Sequence, residues 1–227
     1  MALEPGDGRD AKGQAMSKEL VFYTNPMSRG RIVRWMLEEV GQPYRTEILD
    51  YETTLKGAEY LAVNPMGKVP ALRHGETVIT EGAAICAYLA DAFPETGLAP
   101  APTERGDYYR WLFFAAGPVE AAVTAKSLGF EPKPEQRRMA GFGCMADVVN
   151  ALEGAVKGRD YIAGDRFSAA DVYVGSQIGW GMQFGSIERR PVFEAYFERI
   201  GARPAAVRAR EIDDALIPAT PKPIPAE

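Results

Sequence analysis

The chain has one histidine and two cysteines among its 227 residues, and this scarcity excludes several kinds of site. A disulfide framework and a structural zinc site both need more ligands of these types. A Ser-His-Asp or Cys-His catalytic group would have to use His74. The composition therefore favours chemistry that uses hydroxyls, backbone amides, carboxylates or a reactive group brought by another molecule, with no bound metal.

The chain also has no excess of positive charge and no long apolar run. The formal net charge is -5 and the sequence pI is about 5.2, whereas a nucleic-acid-binding domain typically presents an excess of Lys and Arg. No apolar run approaches the roughly 18 residues of a membrane span. Residues 1–17 lack the apolar core of a secretory signal. We expect a cytoplasmic protein that binds neither nucleic acid nor membranes.

Neither cysteine has a partner at the spacing that redox enzymes use. Cys86 and Cys144 lie within patterns typical of helices, and no C-x-x-C motif is present. We interpret both as buried structural residues, which disfavours a thioredoxin-type redox enzyme.

Residues 18–94 alternate short apolar segments with amphipathic ones. Leu20–Tyr23 predicts a buried strand, and the next apolar stripe has helical spacing and stops at Gly41. Thr80 is expected to cap a later helix. The predicted element order is β-α-β-α-β-β-α, with strands near residues 20–23, 46–49, 69–73 and 77–80, the last two forming a hairpin.

The remainder of the chain predicts helices only. Residues 95–103 are interpreted as a linker and residues 104–216 as an all-helical domain, so the fold class is α+β. Flanking these, residues 1–17 predict a disordered leader and residues 217–227 a Pro-rich extended tail. The predicted helices are Asp107–Lys126 with a kink at Gly117-Pro118, Pro134–Val156, one capped by Ser168 and Asp171, 191–200 and 204–215.

Three motifs of the first domain carry groups suited to binding a ligand. They are Tyr23–Gly30, with hydroxyls at a helix N-terminus, then Met66–Leu72, and then Thr80–Ile85 with an acidic residue in a first helical turn. Each has an ordinary structural explanation, and Ser28 alone would be interpreted as an N-cap. The order of the three carries more information than any one of them.

Taken together with the F-S-x-A-D box, these motifs resemble the cytosolic glutathione transferase family over about residues 19–213. The resemblance implies a thioredoxin-like N-terminal domain, an all-helical C-terminal domain, glutathione as co-substrate and a homodimer. It is greatest to the bacterial beta-, theta- and tau-like groups that use Ser or Cys. It also implies a detoxifying transferase that activates the glutathione thiol as a thiolate for attack on a small, hydrophobic electrophile.

The resemblance assigns roles to individual residues. Ser28 matches the group that hydrogen-bonds the glutathione sulfur, and Asn25 is the alternative if the loop is aligned on the tau-like pattern. Val69, before the family's cis proline at Pro70, would present its backbone to the cysteinyl part of glutathione.

The γ-glutamyl end is assigned to the start of the last helix of the first domain. Glu81 would bind the amino group, but the family usually has Ser at the next position, where this chain has Gly82. A hydroxyl contact is thereby lost, and Lys68 and Arg29 are expected to offset it by attracting the anionic tripeptide.

Several functions stay open at this point. Tyr108 or Tyr109 is expected to face the electrophile between the domains. A glutathione-dependent isomerase, dehalogenase or disulfide reductase is compatible with the same motifs. So is a non-catalytic binding or regulatory protein, which Gly82 in particular allows.

Overall fold

A computed structural model describes residues 19–217 and contains one mixed sheet of four strands. The strand order is β2-β1-β3-β4, with β2 parallel to β1 and the other neighbours antiparallel. A parallel pair needs a crossover, and the helix between β1 and β2 supplies it. The strands are β1 (Leu20–Thr24), β2 (Arg45–Ile48), β3 (Ala71–His74) and β4 (Thr77–Thr80).

Three helices accompany this sheet: α1 (Gly30–Val40), α2 (Ala58–Leu61) and α3 (Gly82–Ala92). Helix α1 stops where Gly41 adopts a left-handed conformation at φ 71°, as its position after the apolar stripe predicts. The predicted order β-α-β-α-β-β-α of a thioredoxin-like domain is confirmed.

The described residues after α3 contain helices and no strand of the sheet, which confirms the α+β class. A π-helical turn at Ala115–Val119 separates α4 from α5 and contains Pro118, close to the predicted kink. The helices are α4 (Gly106–Phe114), α5 (Glu120–Ser127), α6 (Met145–Val156), α7 (Ala169–Phe184), α8 (Pro191–Gly201) and α9 (Pro204–Ala215).

Two predictions about helix starts are wrong. Thr80 does not cap α3, because it is the last residue of β4 and pairs with Ala71, so the cap position falls on Glu81. The helix predicted from Pro134 begins only at Met145, because Gly143 has a left-handed backbone at φ 64° that interrupts helical continuation.

The predicted leader and Pro-rich tail lie outside the described residues, apart from Ile217. The bounds 18–94, 95–103 and 104–216 stay predictions, and 3-10 turns at Pro94–Thr96 and Pro102–Glu104 overlap the two ends of the 95–103 segment. None of the helices between residues 19 and 217 is both long and apolar enough to cross a membrane.

Helix α1 is buried on nearly all sides. It packs against β1 and α3 of its own half of the chain and against α7 and α9 of the other half. The resulting apolar core is continuous across both halves and includes Ile32, Trp35 and Met36 of α1. The N-terminus of α1 is therefore held at the boundary between the two halves.

One polar residue of α1 is buried within this core. The Arg34 side chain is 2% exposed and pairs with Asp213 of α9, itself 1% exposed, at 3.1 Å. Arg34 also donates to Thr46 at 2.8 Å, and its guanidinium lies 5.0 Å from the centre of the Phe22 ring. Burial raises the pKa of Asp213, and the neighbouring Arg34 opposes that rise.

The Ser168 capping box is confirmed, and its Asp171 also connects α7 to the preceding loop and to α8. The buried carboxylate of Asp171 accepts hydrogen bonds from the Ser168 backbone at 2.9 Å, from the Ile162 backbone at 2.8 Å and from the Tyr196 hydroxyl at 2.8 Å. Because these donors come from before α7 and from α8, the start of α7 has a fixed position.

Asp213→Ala should destabilise the fold by about 3–5 kcal/mol, because it leaves the Arg34 charge buried and unpaired. The neighbouring Asp214→Ala is a matched control: Asp214 pairs with Arg31 at the surface with a 62% exposed side chain, and we expect a loss below about 1 kcal/mol. Urea unfolding measures both. Equal losses would contradict the importance of the buried pair.

Candidate functional site

A cavity of about 730 Å³ lies where the two halves of the chain meet. Its first wall comes from the β1–α1 loop, the turn after β2 and the segment before β3. Its second wall comes from α5, α7 and the residues that follow α7. Of the predicted site residues, Ser28, Arg29, Lys68 and Val69 line this cavity together.

The β1–α1 loop is held by its own side chains. The amide of Asn25 donates to the Leu49 carbonyl at 2.8 Å, and its oxygen accepts the Met27 backbone N–H at 2.9 Å. Both ends of Asn25 are therefore engaged within the protein. This leaves Ser28 as the hydroxyl that the loop presents to the cavity.

The Ser28 hydroxyl lies just before the first turn of α1. It donates to the Asn25 carbonyl at 2.7 Å and accepts the Gly30 backbone N–H at 2.9 Å. A side chain at Gly30 has no room, since its Cβ would lie 1.9 Å from Thr24 Oγ1 and 2.9 Å from Ser28 Oγ. The glycine thus lets the helix begin directly against the serine.

The segment before β3 presents its backbone to the same cavity. The Val69–Pro70 peptide bond is cis, and Val69 lines the cavity while Pro70 is buried behind it. The preceding Lys68 carbonyl accepts hydrogen bonds from Tyr60 at 2.5 Å and Asn64 at 2.8 Å. Two buried side chains therefore position the backbone that leads into Val69.

Glu81 and Gly82 lie at the edge of the sheet next to Pro70. The β3–β4 register pairs Ala71 with Thr80. Pro70, just before Ala71, and Glu81, just after Thr80, therefore lie at the same end of this strand pair. Glu81 has a left-handed backbone at φ 68°, which costs a non-glycine residue about 1–3 kcal/mol. Neither Glu81 nor Gly82 is among the residues that line the cavity.

Gly82 packs against the ring of Tyr173 on α7. A Cβ at position 82 would lie 3.1 Å from the Tyr173 ring, which is a tight contact. Tyr173 is buried, and burial raises the pKa of its hydroxyl above the usual value. An aromatic ring from the second half of the chain thus packs directly against the residue where the family usually has Ser.

Arg29 is engaged across the boundary between the halves. Its guanidinium pairs with Glu120 of α5 at 2.7 Å, and Gln177 of α7 donates to the same carboxylate at 2.6 Å. Glu120 and Gln177 were not predicted from the sequence, because they are distant from Arg29 along the chain and no local motif includes them.

All charged side chains that line the cavity within the described chain are basic: Arg29, Arg31, Lys56 and Lys68. Arg31 and Lys56 were not predicted. Arg31 pairs with Asp214, and Lys56 donates to the Met66 carbonyl at 2.9 Å. Together with the N-terminus of α1, these cations favour an anionic ligand.

Tyr108 and Tyr109, predicted to face the second substrate, do not line the cavity. Tyr108 is 1% exposed within the core, and burial raises the pKa of its hydroxyl. Tyr109 is exposed and accepts a hydrogen bond from Arg105 at 3.2 Å. Neither lines the cavity, because the inward face of α4 packs on the core and its outward face points away. The second wall is instead formed by Val123, Gln177, Trp180, Gly181, Gln183, Phe184, Ser186 and Ile217.

Both cysteines are free and buried. Burial raises the pKa of the Cys86 thiol far above its usual value, and Cys144 donates to Asp147 at 3.1 Å. Within residues 19–217 no three His, Cys, Asp or Glu side chains cluster as metal ligands would. The described residues thus contain no cluster of metal ligands, and burial keeps the Cys86 thiol protonated.

Comparison with known families finds matches in both halves of the chain. Residues 27–92 match "Glutathione S-transferase, N-terminal domain", and residues 111–204 match "Glutathione S-transferase, C-terminal domain". Together the two matches cover more than half of the chain.

Individual relatives agree with this result. A glutathione S-transferase (GstA) of Escherichia coli O157:H7 is 32% identical over 166 residues, which is 70% of this chain and 78% of the relative. A crystal structure of a glutathione transferase from Methylococcus capsulatus is 32% identical, covers 87% of this chain and 100% of its own, and has a TM-score of 0.71. A sphingomonad glutathione S-transferase solved with glutathione is 30% identical, covers 86% and 98%, and has a TM-score of 0.66. The chain therefore belongs to the glutathione S-transferase family.

Proposed function

We propose that the protein binds glutathione in the cavity between its two halves and holds the thiol as a thiolate for attack on a small electrophile. The observation that carries this proposal is the Ser28 hydroxyl at the N-terminus of α1, in a cavity whose charged lining residues are all basic. The glutathione bound to the sphingomonad relative supports the same ligand here.

The required change in pKa is within reach of these groups. A thiol with a pKa near 8.5 is only about 3% ionised at pH 7. Lowering that pKa by about two units needs about 2.7 kcal/mol. A hydrogen bond to a charged acceptor contributes about 1.5–3 kcal/mol and a helix N-terminus about 0.3–1 kcal/mol. Ser28 and α1 are therefore sufficient without a histidine.

Ser28 is favoured over Asn25 as the group that contacts the sulfur. Ser28 lines the cavity and Asn25 does not, and both polar ends of the Asn25 side chain hold the loop at 2.8 and 2.9 Å. In this assignment Asn25 positions the loop and Ser28 donates to the thiolate.

The rest of glutathione follows the family pattern along the first wall. The Val69 backbone would pair with the cysteinyl part as an added strand would, next to Pro70. Glu81 would bind the γ-glutamyl amino group and the Gly82 N–H its carboxylate. Lys68 and Lys56 contribute positive charge within the same cavity, whereas Arg29 is held by Glu120.

The electrophile would bind against the second wall. Trp180 and the 75% exposed Phe184 provide aromatic surface there, with Val123 beside them. This composition favours a hydrophobic electrophile.

Two alternatives use the same cavity. The isomerase, dehalogenase and disulfide reductase reactions also begin from a glutathione thiolate, and the described residues favour none of them over transfer. A non-catalytic binding protein is the other alternative, and the tight packing of Tyr173 on Gly82 keeps it open because it limits space beside the γ-glutamyl position.

A homodimer in the cytoplasm is part of the proposal. Tyr109 and Phe113 form an exposed aromatic stripe on α4, with ring centres 6.5 Å apart and Phe113 72% exposed. A second copy would cover such a surface. The two free cysteines agree with a reducing compartment.

Ser28→Ala should raise the pKa of bound glutathione by about 1–2 units, because the thiolate loses one charge-assisted hydrogen bond. The ultraviolet absorbance of the thiolate, titrated against pH, measures this. Ser186→Ala, on the opposite wall of the same cavity, should leave the pKa unchanged. An unchanged pKa in Ser28→Ala would remove Ser28 from this role.

Glutathione should stabilise the protein by about 2.7 kcal/mol at one hundred times its Kd, which a thermal shift detects. Turnover of a generic aryl halide then separates a transferase from a binding protein. Stabilisation without turnover of any electrophile tried would favour the binding protein. No stabilisation and no retention on a glutathione column would contradict both.

Phe113→Glu should convert the protein from a particle of twice 24.8 kDa to one of 24.8 kDa in light scattering, because a charge would be buried in the interface. Met139→Glu is the control, since Met139 is 94% exposed in the segment before α6. A wild-type particle of 24.8 kDa would disprove the homodimer.

A further inference from the structure

The Ser28 hydroxyl has only one proton, and the structure shows where that proton is. Ser28 donates it to the Asn25 carbonyl at 2.7 Å and accepts the Gly30 N–H at 2.9 Å. A hydroxyl has one donor and two acceptor positions. A thiolate that arrives at Ser28 therefore has to compete with the Asn25 carbonyl for the single proton.

Tyr51 is a second hydroxyl beside Ser28. It follows β2, lines the same cavity and is 52% exposed. Its neighbours Ser28 and Arg29 lower the pKa of Tyr51 against the rise that burial causes. A tyrosine hydroxyl carries one donor, so Tyr51 brings a second O–H to the cavity that Ser28 lines.

The turn that carries Tyr51 is firmly connected to the Ser28 loop. Asp50 accepts the backbone N–H groups of Glu52 and Thr53 at 3.0 and 3.1 Å, which closes the turn around Tyr51. Asn25 donates to the Leu49 carbonyl at 2.8 Å, two residues before Tyr51. The two hydroxyls therefore lie on segments joined by a direct hydrogen bond.

The other tyrosines of this half near the cavity have different roles. Tyr60 donates to the Lys68 carbonyl at 2.5 Å and is 4% exposed. The Tyr23 ring packs on Tyr60 with centres 5.6 Å apart. Neither lines the cavity, so Tyr51 is the one tyrosine among the described lining residues.

We propose that Tyr51 is a catalytic residue that donates a second hydrogen bond to the glutathione sulfur, so that the thiolate is held between Ser28 and Tyr51. The proposal rests on the proposed function. When the S–H bond breaks, the proton passes to solvent water, the electron pair stays on sulfur, and the Tyr51 O–H donates to the sulfur. Ser28 turns its own proton from Asn25 to the sulfur in the same step.

The test titrates the glutathione thiol bound to four forms of the full chain: wild type, Tyr51→Phe, Ser28→Ala and the double variant. Tyr51→Phe removes only the hydroxyl, so we expect the pKa of the bound thiol to rise by about one unit. The kcat/KM below that pKa should fall about tenfold and recover at high pH, with the Kd of glutathione nearly unchanged. The double variant should show a higher pKa than either single variant.

Tyr161→Phe is the matched control, because Tyr161 lies outside the cavity and packs on Phe167, and it should leave the thiol pKa unchanged. An unchanged pKa in Tyr51→Phe, with a raised one in Ser28→Ala, would overturn the role of Tyr51 and leave the proposed function standing. A weaker Kd with an unchanged pKa would make Tyr51 a binding residue and overturn the proposal as well. A wild type that binds no ionised glutathione would overturn the proposed function itself.

Discussion

Helix α1 is buried on both sides, and the position of the candidate site depends on this burial. Its apolar residues face the sheet and α3 in one direction and α7 and α9 in the other. Arg34 lies on a buried face of α1, so its charge needs Asp213 of α9 as its partner. The same packing holds the start of α1, with Ser28, at the boundary between the halves.

The chemistry at that boundary comes from groups that are weak when isolated. A serine hydroxyl, a tyrosine hydroxyl, a helix N-terminus and several cations converge on one cavity, and no histidine is among its described lining residues. In the proposed mechanism each would contribute a small part of the free energy that a thiolate needs, and together they would suffice at neutral pH. A fold that positions these groups rigidly can therefore work with a nucleophile that belongs to its co-substrate.

The prediction of the fold succeeded where local signals are strong. The stripe of α1, its stop at Gly41 and the Ser168–Asp171 box depend on residues close in sequence, and all three are observed. The predicted start of α6 at Pro134 is wrong, because the left-handed backbone of Gly143 interrupts a pattern that is typical of a helix. Tyr108 and Tyr109 were predicted to face the cavity but do not line it. Helical spacing indicates which residues share a face, but it does not indicate what that face contacts.

From its own order of motifs, the sequence determined the element order, the fold class and the loop that carries Ser28. Only the tertiary structure decided that Arg29 is held by Glu120, that Tyr173 packs on Gly82, that Trp180 lines the cavity and that Tyr51 lines the same cavity as Ser28. The physical reason is distance along the chain. Turns, caps and periodicity act over a few residues, whereas these contacts join segments from 23 to 91 residues apart, which meet only when the core forms.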